Sequence, residues 1–212
     1  SFLRTVGQND RGRLKLGAVG PFDVIELVDA FRKRYPRIEL AVTVAPRQQI
    51  VAGLAAFDID AGVLADDIAS PDFHSTLFSH HPVVVAVHRR HRLAGRKRIG
   101  LADLRGEDVV LRDAPSATRR AFDEALARAK VPVNPIMVIN SRESMREAIA
   151  RGMGIGFVSA REFAVHPNIR LLRVVDAEIS IATYVACLSA RRNRPLIAAF
   201  LETAETIAGR RR

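Results

Sequence analysis

Apolar positions change their spacing repeatedly along this chain. Leu14, Leu16 and Ala18 alternate with other positions and predict a strand over Arg13–Val19, stopped by Gly20-Pro21. Val24, Leu27, Val28 and Phe31 then follow helical spacing until Tyr35-Pro36. A β-branched run over Glu39–Val44, a short helix over Arg47–Phe57 and a strand over Ile59–Leu64 complete a strand–helix alternation. That alternation is the signature of a parallel sheet with right-handed crossovers.

The pattern restarts at the continuous apolar strand Pro82–Val87. A helical turn at Leu101–Leu104, a strand over Asp108–Leu111 and a helix to about Ala129 follow, the helix turning Phe122, Leu126 and Ala129 inward. Pro132 and Pro135 interrupt, and Ile136–Ile139 is a strand. A helix over Ser141–Arg151, strands over Gly154–Val158, Ile169–Val174 and Ile179–Leu188, and the amphipathic helix Pro195–Ala208 close the chain. Two α/β units are expected, with the chain crossing between them near 79–83 and 180–186.

Composition narrows the class. The 212 residues are 48% hydrophobic and 26% charged, enough for a sizeable core and unlike a disordered or fibrous chain. The longest apolar run, Pro82–Val87, is far below the roughly 20 residues a spanning helix needs, so no membrane role is expected. The first fifteen residues carry Arg4, Asp10, Arg11, Arg13 and Lys15 and no signal-peptide core, and the chain starts at Ser1, as a processed product or a fragment would. A single cysteine, Cys187, excludes an internal disulfide and a thiolate zinc cage; within the apolar Ala182–Leu188 it reads as an inert core thiol.

The net charge is +10. Arg89, Arg90, Arg92, Arg96, Lys97 and Arg98 in one loop-like stretch supply six of these charges, and Arg191–Arg212 supplies the other four. No aromatics are interleaved with them for base stacking, so solvated loops are the preferred reading and no nucleic-acid grip is expected here.

Gly152-Met153-Gly154-Ile155-Gly156 has a dinucleotide-like look in the wrong order: it leaves a helix and enters a strand. A tight turn with Gly152 left-handed fits better. His88-x-x-His91 has metal-compatible spacing without companion ligands, so no metal is expected, and no catalytic constellation or cofactor motif stands out. Ligands of open α/β sheets bind outside the carboxyl ends of strands. Val19–Phe22, Ala45–Gln48, Arg112–Arg119 and Asn140–Arg142 occupy such places, and hydroxyls and arginines at helix starts suit a small anion. Plain capping by Ser116 or Ser141 explains the same residues.

Leu16-Gly17-Ala18-Val19-Gly20, the helix end Phe31–Leu40, Asp58-Ile59-Asp60-Ala61-Gly62-Val63, and Glu143–Gly152 leading into Met153–Val158 together resemble the effector-binding domain of LysR-type transcriptional regulators over about Gly12–Thr203. The resemblance implies two Rossmann-like subdomains joined by two crossovers, a type 2 periplasmic-binding-protein-like α/β fold. Subdomain I would be 12–81 with 184–212, and subdomain II 82–183. It further implies a cytoplasmic, non-enzymatic regulator that self-associates as a dimer or tetramer. DNA would be bound by an N-terminal winged helix-turn-helix absent from this chain, and a small effector would bind in the cleft. Effector contacts would fall to Gly20, Pro21, Phe22, Arg47, Gln48, Ser116, Thr118, Arg119, Ser141 and Arg142. Relatives with Ser or Thr near Pro21 and Arg47 differ here, which favours an anionic effector. Gly17–Pro21 with Ser141–Ser144 looks most like regulators of aminoethylphosphonate catabolism, so a phosphonate is a candidate. A solute-binding protein of a transporter and a small α/β enzyme using Ser116 or Asp66 stand as alternatives.

Overall fold

The computed structural model describes Gly7, residues 11–163 and residues 165–211; Arg4, Asp10 and Arg212 lie outside the described residues. The chain divides into two compact units, one running through Ser79 and resuming at Ala182, the other His80–Ile181.

In the first unit, β1 (Gly12–Ala18), α1 (Pro21–Arg34), β2 (Ile38–Val44), α2 (Arg47–Ala55) and β3 (Ala61–Ala65) follow the expected alternation. β1 is central and pairs parallel with β2 and with β3. On the far side of β3 the returning strand β10 (Ser180–Leu188) pairs antiparallel, Val185 opposite Val63. One sheet face turns Leu14, Leu16 and Ala18 onto Val24, Leu27 and Phe31 of α1 and onto Ile197 and Phe200 of the last helix, α5 (Pro195–Gly209). The Phe31 and Phe200 rings meet edge-on at 5.7 Å. Ile50 and Leu54 of α2 cover the other face with Ile59 and Leu64. α2 stops two residues before the expected Phe57, which lies at φ 64, outside the helical region.

The second unit contains the rest of β4 (Phe73–His88), then β5 (Arg98–Ile99), β6 (Asp108–Arg112), α3 (Ala117–Ala129), β7 (Asn134–Ile139), α4 (Arg142–Ala150), β8 (Gly156–Ser159) and β9 (Ile169–Val174). β6 and β7 run parallel, and a parallel bridge from Val109 to Ile155 joins β6 to the segment entering β8. β4 runs antiparallel to both β8 and β9, and β5 lies parallel to β9. Phe122 of α3 and Phe157 of β8 stack at 3.6 Å, 6° from coplanar, in the core.

Further expectations are corrected. Ala129 is exposed, and Ala125 takes the inward place beside Phe122 and Leu126. β4 begins at Phe73, not Pro82, because His74, Ser75 and Thr76 hide the first part of a 16-residue strand behind polar residues. β5 sits inside the basic stretch read as loop. Pro135 lies within β7 rather than before it, tolerated because among the described residues β7 pairs only with β6 and the ladder shifts register between Val109 and Val110. The glycine turn after α4 is as expected: Gly152 has φ +74, its N–H donates to the Ile149 carbonyl, and Met153 donates to the Ala148 carbonyl. A Cβ on Gly154 would lie 2.9 Å from the Asp108 carbonyl oxygen, which is why this turn can run so close to β6.

Candidate functional site

In each unit the loops at the carboxyl ends of the parallel strands start the helices, and the expected site residues lie there. In the first unit Gly20 is the extended N-cap of α1 with Pro21 as the first helical residue, and Phe22 is partly exposed. The amides that open this helix already have a negative neighbour, the buried carboxylate of Asp23, which accepts from Ser79 Oγ at 3.3 Å. Arg47, at the start of α2, grips backbone: its Nη1 donates to the Ala65 and Asp66 carbonyls at 2.7 and 3.1 Å, and Nη2 to the Asp67 carbonyl at 2.8 Å. These bonds brace Asp66, whose φ is 63. Gln48 is exposed.

In the second unit, both nominated hydroxyls cap helices. Ser116 Oγ accepts from the Arg119 amide at 3.4 Å; Ser141 Oγ accepts from the Ser144 amide at 3.2 Å and donates to Glu143 Oε2 at 2.9 Å. Glu143, in the first turn of α4, has its pKa held low by its own backbone N–H and then by Ser141. Arg119 reaches the Arg112 carbonyl at 2.8 Å and Asp123 at 3.2 Å.

Thr118 and Arg142, by contrast, line a small cavity with Arg112, Ser159 and Glu162 over a floor that includes Met145 and Phe157. Its volume is about 20 Å³, room for about one water. Arg112 closes β6 and Ser159 closes β8, so the cavity lies outside the carboxyl ends of parallel strands where α3 and α4 begin. Arg112 Nη2 donates to the Asn140 carbonyl at 3.1 Å and lies 3.6 Å from Asp113. Its buried Nε has no hydrogen-bond partner, and neither has Ser159 Oγ, in a residue only 1% exposed. Burial, and after it the neighbouring Arg142, pull the Arg112 pKa below the ordinary guanidinium value. Native interiors leave few polar atoms unpaired, so these two orphans set the lining of this cavity apart from the paired side chains around it. Arg112 opens the segment Arg112–Arg119 singled out from sequence without being given an effector contact, and Ser159 and Glu162 were not nominated; Ser159 follows an apolar strand directly, the very criterion used for the other loops.

Other candidates are engaged structurally. His91 Nε2 lies 2.9 Å from Glu107 Oε2, and Arg92 and Arg96 pair with Glu107 and Asp103. The Gly100 amide, ahead of the nearby arginines, holds Asp103 below the usual carboxylate range. Among the described residues no group of three or more His, Cys, Asp or Glu side chains could hold a metal, and no helix is long and apolar enough to cross a membrane. Cys187 is fully buried and its thiol is pushed up to about 11, chiefly by burial. Little thiolate exists at neutral pH, so an aromatic disulfide reagent is expected to titrate no thiol in the folded protein at pH about 8 and one after denaturation. Prompt reaction in the native state would contradict this burial.

Comparison with known proteins places these observations in a family. Residues 7–208 match the LysR substrate binding domain. The HTH-type transcriptional activator CmpR of Synechocystis is 31% identical over 170 residues, covering 79% of this chain and 56% of that protein. The HTH-type transcriptional regulator CbbR of Xanthobacter flavus is 32% identical over 174 residues, covering 80% and 52%. The chain thus spans about half the length of the curated relatives it matches. The regulatory domain of Synechocystis CcmR, solved in complex with 2-PG, superposes with a TM-score of 0.82 at 26% identity, covering 93% of this chain and 97% of that one. The fold is the type 2 periplasmic-binding-protein-like α/β fold, and its curated relatives are named as transcriptional regulators, not enzymes. A match of this extent makes the chain a member of the LysR substrate binding domain family.

Proposed function

We propose that this chain senses a small organic anion for a transcriptional regulator, and that the anionic group is received in the second unit between Arg112, Arg142, Thr118 and Ser159. The observation that carries this is the pair of orphaned polar atoms, Arg112 Nε and Ser159 Oγ, in two residues that line one small cavity with a second guanidinium. Both are donors, and an oxyanion would satisfy them together. In the first unit the start of α1, Gly20–Phe22, is a secondary candidate, less suited to an anion because Asp23 already sits in its first turn. Arg47 and Gln48 are kept as contacts to test, with Arg47 expected to act mainly by holding its loop.

DNA binding would belong to a further domain, as the names of the HTH-type relatives suggest, and the effector would act by favouring one arrangement of the regulator over another. Self-association is part of the proposal: exposed Val42 and Val44 on edge strand β2, and Ile136 and Val138 on β7, are apolar edges a second copy could cover. The resemblance to regulators of aminoethylphosphonate catabolism puts phosphonates first among effectors, and 2-PG enters from the Synechocystis domain.

A thermal-shift panel of phosphonates, 2-PG, phosphate, sulfate, dicarboxylates and aromatic acids tests this. A ligand at about 100 times its Kd adds about 2.7 kcal/mol, expected for at least one organic anion and not for neutral analogues. Stabilisation by aminoethylphosphonate supports the subfamily; stabilisation only by carboxylates removes it; stabilisation only by neutral compounds removes the anion.

A further inference from the structure

Glu162 is the one carboxylate among the residues lining the small cavity beside Ser159. Its Oε2 lies 2.9 Å from Arg142 Nε, with the two side chains only 21% and 32% exposed. Its backbone N–H donates to the Ser159 carbonyl at 3.0 Å, so the carboxylate and the orphaned hydroxyl are carried on one turn. While this ion pair is closed the space beside Ser159 and Arg112 admits about one water. Any oxyanion head group is larger, and the negative group it would have to replace is Glu162.

We propose that Glu162 is a resident substitute for the ligand's anionic group. A ligand enters by exchanging with Glu162 on Arg142 and comes to rest against Arg142, Arg112 Nε and Ser159 Oγ. The head-group class this exchange selects is a dianion of the phosphoryl or phosphonyl type. A monoanion arriving at Arg142 replaces one negative charge by another and gains little. Once Glu162 has left, the Arg112 and Arg142 guanidiniums line the cavity together, and burial first and Arg142 second already disfavour the charge on Arg112, so a head group carrying two negative charges is favoured over one carrying a single charge. Asp113, at 3.6 Å and 41% exposed, and Glu143 in the first turn of α4 offset Arg112 only in part. The inference rests on the anion-sensing reading, and deepens it from "anion" to a charge state and a mode of entry.

The test uses inorganic phosphate and acetate as probes, titrated at about pH 8, above the second phosphate pKa, with chloride holding ionic strength constant. Backbone amide resonances of Ser159 and Glu162 report occupancy. In the original protein phosphate is expected to bind about tenfold tighter than acetate, and in Glu162→Gln both probes are expected to bind about tenfold tighter than before. Phosphate binding that Glu162→Gln leaves unchanged or weakens, or a preference for acetate in the original protein, overturns the exchange and its charge selection while leaving an anion site in place. If neither probe moves the Ser159 resonance in the original protein or in Glu162→Gln, the anion reading itself falls. Should Glu162→Gln fail to fold, Glu162→Asp, whose shorter carboxylate stops short of Arg142, gives the same comparison.

Discussion

Arg112→Met is expected to weaken binding of the stabilising anion by about 100-fold, about 2.7 kcal/mol, and to leave the fold as stable as before or about 1 kcal/mol more stable. The two effects have one origin. The Arg112 side chain is 14% exposed, its Nε has no acceptor, and burial together with Arg142 disfavours its charge. A guanidinium stays protonated at any pH where the chain is folded, so the cost of holding it here falls on the free protein. Bound anion removes that cost; a methionine of similar length removes it without ligand. Truncating one member of a buried charge pair typically weakens binding by about 2–5 kcal/mol, and the predicted loss sits low in that range because Arg142 remains. Calorimetric titration against the stabilising anion, with urea unfolding of both proteins, checks the two halves separately. A variant that binds normally moves the site elsewhere; one that melts early makes Arg112 a structural residue through its bond to the Asn140 carbonyl.

That separation matters because side-chain roles were far less legible in the sequence than the elements carrying them. Alternating and helical spacings located β1 and α1 because each buries a face in one of the first unit's clusters, and a β-branched run marked β2. Gly152 could be placed because only glycine sits comfortably at φ +74. Strand β4 over Phe73–Ser79 was hidden because its inward and outward positions alike carry polar residues, and β5 because two residues make no period. At the candidate site the rule about strand ends pointed to loops that do start helices, but several of the side chains it named are engaged locally. Ser116 and Ser141 satisfy helix amides, and Arg47 satisfies three carbonyls. A hydroxyl or guanidinium near a helix start has many local partners within reach, and sequence does not say which it takes. The residues left with unmet donors, Arg112 and Ser159, are distinguished by partners they lack, which only coordinates reveal. The basic stretch is solvent-exposed as read, and the acids that pair with its arginines, Asp103 and Glu107, lie just beyond it.

Arg191→Met is expected to destabilise the first unit by about 3–5 kcal/mol, the range for removing one partner of a buried ion pair. Arg191 Nη2 meets Asp60 Oδ1 at 2.9 Å with the side chains 13% and 11% exposed. Asp60 also ties β1 to the entry of β3: its Oδ2 accepts from the Lys15 amide at 2.9 Å, and its own amide donates to the Lys15 carbonyl at 2.7 Å. Lys15 Nζ reaches the Phe57 carbonyl at 2.7 Å, and the Arg191 guanidinium lies 5.3 Å from the Phe57 ring centre. Removing Arg191 strands the Asp60 carboxylate in a place where water cannot reach it freely. The pair itself is nonetheless expected to contribute little net stability, because Arg191 Nε and Nη1 are buried without partners, so part of its desolvation goes unanswered. The double variant Asp60→Asn with Arg191→Met is therefore expected within about 1 kcal/mol of the original. Urea unfolding of the four proteins in the cycle reads the coupling directly. A single-variant loss below about 1 kcal/mol would mean that water screens the pair as it does on a surface. A double variant as unstable as the single would mean that the Arg191 stem and its contact with Phe57, rather than its charge, hold the start of α5 to the sheet.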